Sequence, residues 1–363
     1  MPPSRGKEAT MSMSILHVGA ARRLLTLLVL LAGLVLSQLA LAQQADPGRE
    51  AAFAVPAVDA ELWRQVKAGE TGPNYRDSRA DSTYNLVNAS GETWRQIRER
   101  WVSPFGVIVV LGMIAVIALF YLMVGSKKLD EPRTGRKLLR WSLVVRSLHW
   151  TVATLFILLA LTGLNLAYGK AVFRPIFGDG FWAAMMSGTK LIHNYLGPLF
   201  GILLVILLLR LLSHNIPKAH DLQWFAKGGG LVGKGHPDAG FANGGEKVWY
   251  WLLATAGLAV IVSGFVLDFP NYGQARDTMQ WANIIHAVGA LGLTAVALGH
   301  IYIGTLGTEG SLEGMTTGYV DETWAKEHHN LWYDEVKDQA IPEEQLAESR
   351  PTSEGDEPAP RSG

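Results

Sequence analysis

Residues 281–306 read WANIIHAVGALGLTAVALGHIYIGTL, twenty-six residues without a Lys, Arg, Asp or Glu. A helix of about 20 apolar residues crosses the hydrocarbon core of a bilayer, and this stretch is long enough to do so. It carries His286 and His300. Fourteen residues at about 1.5 Å rise place the two imidazoles roughly 21 Å apart, and at about 100° per residue they end only about 40° apart around the helix. One helix face therefore presents an imidazole near each leaflet. Ionisable side chains at such depth are costly and mark function.

Four more charge-free spans precede this one, at Gly106 to Val124, Thr151 to Ala167, Leu191 to Leu209 and Trp249 to Leu267. The chain of 363 residues balances 32 basic against 32 acidic groups with 49% hydrophobic content, so its charge is segregated between the spans rather than scarce. That pattern is polytopic, and the absence of net positive charge excludes a nucleic-acid binder. The chain has no cysteine. This excludes iron–sulfur clusters, thioether-linked haem, zinc thiolates, disulfides and thiol nucleophiles. Ten histidines remain to hold any redox cofactor.

The expected fold class is an all-α membrane protein: a four-helix transmembrane bundle preceded by a signal peptide, a polar segment and one extra transmembrane helix. Arg22 and Arg23, the apolar run after them and Ala40-Leu-Ala42 read as a signal peptide over 1–42. Residues 43–104 are polar, with few aliphatics, and read as a periplasmic segment that packs on something larger. The extra helix takes 105–125, the bundle 126–306 and a cytoplasmic tail 307–363. The acidic, Pro-rich stretch after about Glu343 reads as unstructured.

Loop charge orients the spans. Lys127, Lys128, Arg133, Arg136, Lys137, Arg140 and Arg146 crowd the first connection, and the loop from Arg210 to Lys247 carries five basic residues. Basic loops stay cytoplasmic, which predicts a mature N-terminus outside and a C-terminus inside a bacterial inner membrane. Arg95, Arg98 and Arg100 run against this, but the inner cluster is denser.

With that orientation His149 opens the second span at its cytoplasmic end and His193 the third at its outer end. Two histidines thus stand at each level. The simplest chemistry that uses two imidazoles per level is bis-histidine ligation of two b haems, His149 with His300 on the inner iron and His193 with His286 on the outer one. Gly163, Gly197, Gly201 and Gly289 fall near these depths, where they suit either a porphyrin or close helix packing. His17, His214, His220, His236, His328 and His329 lie outside the spans and read as solvated or locally hydrogen-bonded. Trp150, Trp249, Trp251 and Trp281 read as interfacial anchors.

At these residues the sequence resembles the cytochrome b (gamma) subunit of membrane-bound respiratory formate dehydrogenase. The matching pieces are Arg146-Ser-Leu-His149-Trp150, Leu191-Ile-His193 with Gly197-Pro198, Ser213-His-Asn-Ile-Pro217, Ala242-Asn-Gly-Gly-Glu-Lys247, the His286 and His300 pair, and Trp324-Ala-Lys-Glu-His-His-Asn-Leu-Trp332. The resemblance implies two b haems, partners in an iron–sulfur (beta) subunit and a molybdenum or tungsten catalytic (alpha) subunit, and a pocket for menaquinone or ubiquinone beside the cytoplasmic haem. Asn243, Gly245 and Glu246 would line that pocket with His300. Glu246 departs from the family pattern, which has a glutamine there. The implied role is electron transfer from formate oxidation to quinone, with the formate chemistry itself carried by a partner. A cytochrome b of a membrane-bound hydrogenase is an alternative on the same plan, and a polytopic carrier with a histidine proton relay is a remote one.

Overall fold

The computed structural model describes residues 89–230 and 235–348, with the isolated positions 64 and 68, and is mostly helical. The signal peptide expected at 1–42 and most of the polar segment at 43–104 lie outside the described residues. Five helical stretches are long and apolar enough to cross a membrane: Gly91–Val124, Leu143–Val172, Arg174–His214, Gly244–Asp268 and Arg276–Gly307.

The first stretch joins α1 (Ala89–Ile97) through a π-helical turn (Arg98–Val102) to α2 (Ser103–Val124). It starts earlier than the charge-free run because Arg95 pairs with Glu92 at 2.8 Å and with Glu99, neighbours one turn away on either side. Pro104 falls in the first turn of α2, directly after the π-helical turn. The apolar helix ends at Gly125, whose φ of 74° few other residues adopt.

Next come α3 (Leu143–Val172) and α4 (Arg174–Leu211), the latter broken at Gly178 with φ 82°. The short α5 (Ala219–Ala226) leads to α6 (Gly244–Leu252), which a π turn (Leu253–Gly257) joins to α7 (Leu258–Asp268). The histidine-bearing α8 (Arg276–Tyr302) is continuous from His286 to His300, so the 14-residue rise applies without a kink.

The chain forms two compact units. One contains Leu161–Tyr195, the end of α3 and the start of α4. In it Asn165 Nδ2 donates to Thr189 Oγ1 at 2.7 Å, while Asn165 Oδ1 is buried with no hydrogen-bond partner.

The other unit holds the described residues from Ala89 to Ala160 and from Leu196 on. Val152, Leu204, Leu207, Leu208 and Tyr250 form its core between helices, and the Tyr250 hydroxyl donates to the Leu208 carbonyl at 2.9 Å. Helix α8 packs on α7 and on α2. Close approach here needs glycine: a Cβ on Gly289 would lie 2.6 Å from Val260, and one on Gly201 would lie 3.0 Å from Ile261. These two glycines serve helix packing.

At the end of the unit that carries His149 and His300 stands a folded cap. Strand β1 (Arg136–Leu139) lies between β2 (Tyr319–Asp321) and β3 (Ile341–Pro342), antiparallel to both, with Leu138 opposite Val320 and Lys137 opposite Ile341. Helices α9 (Ser311–Thr316), α10 (Glu322–His328), α11 (Asn330–Val336) and α12 (Glu343–Glu348) complete it. Leu138, Val320, Trp324, Ala325, Trp332 and Ala340 form its core. Leu138 and Val320 are fully buried, each worth about 1.5–3 kcal/mol of apolar burial. The all-α expectation is thereby corrected by one small sheet, and α12 stands where the sequence suggested the start of an unstructured run. The reason is that β1 is too short and basic to read as a strand alone; its partners, Tyr319–Asp321 and Ile341–Pro342, lie far along the chain.

Candidate functional site

His149, near the start of α3, and His300, near the end of α8, face each other with ring centroids 6.3 Å apart and planes inclined by 60°. Two imidazole–metal bonds of about 2.0–2.1 Å, with the two half-rings beyond them, fill such a gap, so the pair fits one metal atom between them. His149 Nδ1 is buried without a hydrogen-bond partner, an atom that a further group would satisfy. His300 is exposed on the chain as it stands, and its other face stacks on Trp249 at 5.2 Å and 19°. Trp249 therefore supports a histidine rather than serving only as an interfacial anchor. It lies six residues after Asn243, nearly two turns into α6.

His286 Nδ1 lies 2.9 Å from the Val260 carbonyl on α7. A carbonyl only accepts, so Nδ1 carries the proton and Nε2 keeps its lone pair for a metal. Gly264 makes room for this ring, since a Cβ there would lie 3.0 Å from His286 Cε1. That glycine had no reading in the sequence. In the smaller unit, His193 Nδ1 bonds Thr162 Oγ1 at 2.8 Å, and a Cβ on Gly163 would lie 3.3 Å from His193 Cε1. Each of these two imidazoles is held in one orientation by a bond to Nδ1, as metal-ligating histidines are.

The segment Ala242–Lys247 starts α6 with a capping box. Asn243 Oδ1 accepts from the Glu246 N–H at 2.9 Å, and Glu246 Oε2 accepts from the Asn243 N–H at 2.9 Å. Glu246 Oε1 accepts from Arg140 Nη2 at 2.9 Å, so this carboxylate is tied down and not a loose loop charge. Gly245 does not face open backbone: a Cβ there would meet Trp224 at 3.0 Å.

Arg140 is buried, and four rings surround its guanidinium, with Trp324 4.7 Å and Phe241 5.4 Å from it and Trp332 and Trp141 beyond. Burial lowers its pKa, which the Glu246 carboxylate opposes. Nearby, His329 Nδ1 bonds the Gly240 carbonyl at 2.7 Å and His329 Nε2 lies 3.9 Å from Glu246 Oε2. Burial, with the Arg140 charge, holds this imidazole well below its ordinary range, so it is neutral. His329 is thus one of the most buried of the described residues and is hydrogen-bonded rather than solvated, whereas His214 and His236 are exposed. Asn330 accepts from the Ala239 N–H at 2.9 Å and donates to Asp238 at 2.7 Å. The two distant motifs at 242–247 and 324–332 are therefore one joined structure around Arg140.

A family model described as prokaryotic cytochrome b561 matches residues 140–318. The chain is 30% identical over 212 residues to the nitrate-inducible formate dehydrogenase cytochrome b556(Fdn) subunit of Escherichia coli K12, covering 56% of this chain and 93% of that one. It is 30% identical over 215 residues to the formate dehydrogenase cytochrome b556 subunit of Haemophilus influenzae, covering 56% and 86%. With the cytochrome b556(fdo) subunit of Escherichia coli K12 it shares 28% over 207 residues, covering 55% and 93%. The match spans nearly the whole of these relatives, so the remainder of this chain is additional to them. The five apolar helices, the histidines they carry and these likenesses agree: the chain belongs to the family of formate dehydrogenase cytochrome b556 subunits, membrane cytochromes b that transfer electrons.

Proposed function

We propose that this chain anchors a formate dehydrogenase in the inner membrane and passes electrons from formate oxidation through two b haems to the quinone pool. His149 and His300 hold one haem, and His193 and His286 the other. The observation that carries this reading is the facing pair of His149 and His300, 6.3 Å apart, with a buried nitrogen that nothing else satisfies. The His193 and His286 pairing rests on the depth arithmetic of the sequence and on the Nδ1 bonds that orient each ring. Bound at these imidazoles, the haems supply one-electron carriers at two depths.

The chain's own residues then do three things. Thr162 and the Val260 carbonyl fix the outer imidazoles, and Trp249 braces His300. Apolar α2 and α7 pack against the histidine-bearing α8. At the inner level, Asn243, Gly245 and Glu246 border the quinone pocket, with Arg140 holding the Glu246 carboxylate in place to pass a proton to reduced quinone. In this reading the quinone ring meets the Trp224 indole beside Gly245. The partners are an iron–sulfur subunit and a molybdenum or tungsten catalytic subunit on the outer face, with the C-terminus and the cap in the cytoplasm.

Purification of the native complex tests this. Formate should reduce its b-type absorbance, and a quinone analogue should reoxidise it. Absorbance that responds to hydrogen but not to formate would support the hydrogenase alternative, and a preparation without haem absorbance would refute both.

A further inference from the structure

Away from the haem histidines, three chain segments meet at Asp130, His236 and Glu327. One ligand atom of each lies within 4.8 Å of the other two. Asp130 follows the first span, His236 lies 106 positions later, and Glu327 on α10 lies 197 positions after Asp130. His236 Nε2 and Asp130 Oδ2 are 2.9 Å apart, and Lys127 Nζ reaches Asp130 Oδ1 at 3.3 Å.

Glu327 decides the reading. It is buried, its two oxygens accept from the Asp130 N–H at 3.0 Å each, and Oε1 accepts from the Glu131 N–H at 2.9 Å. Among the described residues no lysine or arginine pairs with it, although a second carboxylate, that of Asp130, stands within 4.8 Å. The backbone N–H groups orient Glu327 toward the others, as the outer partners of a metal ligand do.

We propose that Asp130, His236 and Glu327 form a divalent-cation site of the zinc type that ties the connection after the first span to the cap. An imidazole with two carboxylates favours zinc over magnesium or calcium, which prefer oxygen alone. Three protein ligands leave a fourth position for water. The ion replaces the hydrogen bond between His236 and Asp130 and takes up the charge that Lys127 leaves uncompensated. No residue of this site belongs to the haem or quinone sites proposed above, so its fate is independent of them.

The test uses the purified native complex, stripped with a chelator and titrated with Zn²⁺. Wild type should bind about one more zinc per chain than His236→Ala. Glu327→Gln still accepts from the backbone N–H groups, and should weaken binding at least tenfold while the haem spectrum stays unchanged. Zinc X-ray absorption on the wild type needs no variant, and should show one imidazole and carboxylate oxygens at about 2.0–2.2 Å. No zinc uptake by wild type, wild-type zinc uptake and affinity in either variant, or a zinc shell without imidazole would overturn the site and leave His236 and Asp130 as an ordinary ion pair.

Discussion

Arg140 donates from Nη2 to Glu246 Oε1 at 2.9 Å, linking residues 106 positions apart at the foot of α6. The same guanidinium sits among Trp141, Phe241, Trp324 and Trp332, so one side chain holds the connection between α2 and α3, the start of α6 and the C-terminal cap together. Its Nε and Nη1 are buried with no hydrogen-bond partner, and the aromatic faces are what they meet.

Arg140→Ala should therefore loosen the cap. Breaking a buried ion pair costs about 3–5 kcal/mol, and the lower end applies because Glu246 is part-exposed. Thermal unfolding in detergent should shift down, and protease should cut the cap faster than in wild type. Arg140→Lys restores the charge but not the planar stacking, and should recover only part of the loss.

The histidine pairing predicts unequal losses. His149→Ala should remove the inner haem while the donor still reduces the outer one. His193→Ala or His286→Ala should remove the outer haem and stop electron entry. Redox-difference spectra at low temperature separate the two components. If His149→Ala and His193→Ala abolish the same component, the assignment of partners is wrong.

At the quinone end, Glu246→Gln keeps the capping box, because glutamine can also accept from the Asn243 N–H. It should slow quinone turnover without weakening quinone binding. Asn243→Ala should leave both haems reducible by formate yet slow their reoxidation, at a stability cost of about 1 kcal/mol for the lost cap. Stopped-flow reoxidation of the reduced complex reads both effects, and wild-type rates in both variants would place the pocket elsewhere.

Topology is open to a direct check. Reporters fused near Ser126 and Lys227 should behave as cytoplasmic, and those near Asp179 and Tyr272 as external. The reverse pattern would exchange the two haem levels and the direction of charge transfer.

The spans and their histidines were legible in the sequence because hydropathy and helical rise act along one segment at a time. Contacts between segments were not. Nothing around Glu246 announces Arg140, and nothing in 136–139 announces a strand, since its partners at 319–321 and 341–342 are remote. Trp249 reads in the sequence only as an interfacial anchor and Gly264 carries no reading, for the same reason: their significance lies in the rings of His300 and His286 on another helix. Gly201 and Gly289 illustrate the converse, with positions that suit a porphyrin but contacts that belong to helix packing.

Two pairs of histidines, each proposed to hold one haem, are tested most directly by the haem content of the purified chain. A pyridine haemochrome assay against protein concentration should give two b-type haems per chain, falling to one in His300→Ala. One haem or none in the wild type would contradict this assignment.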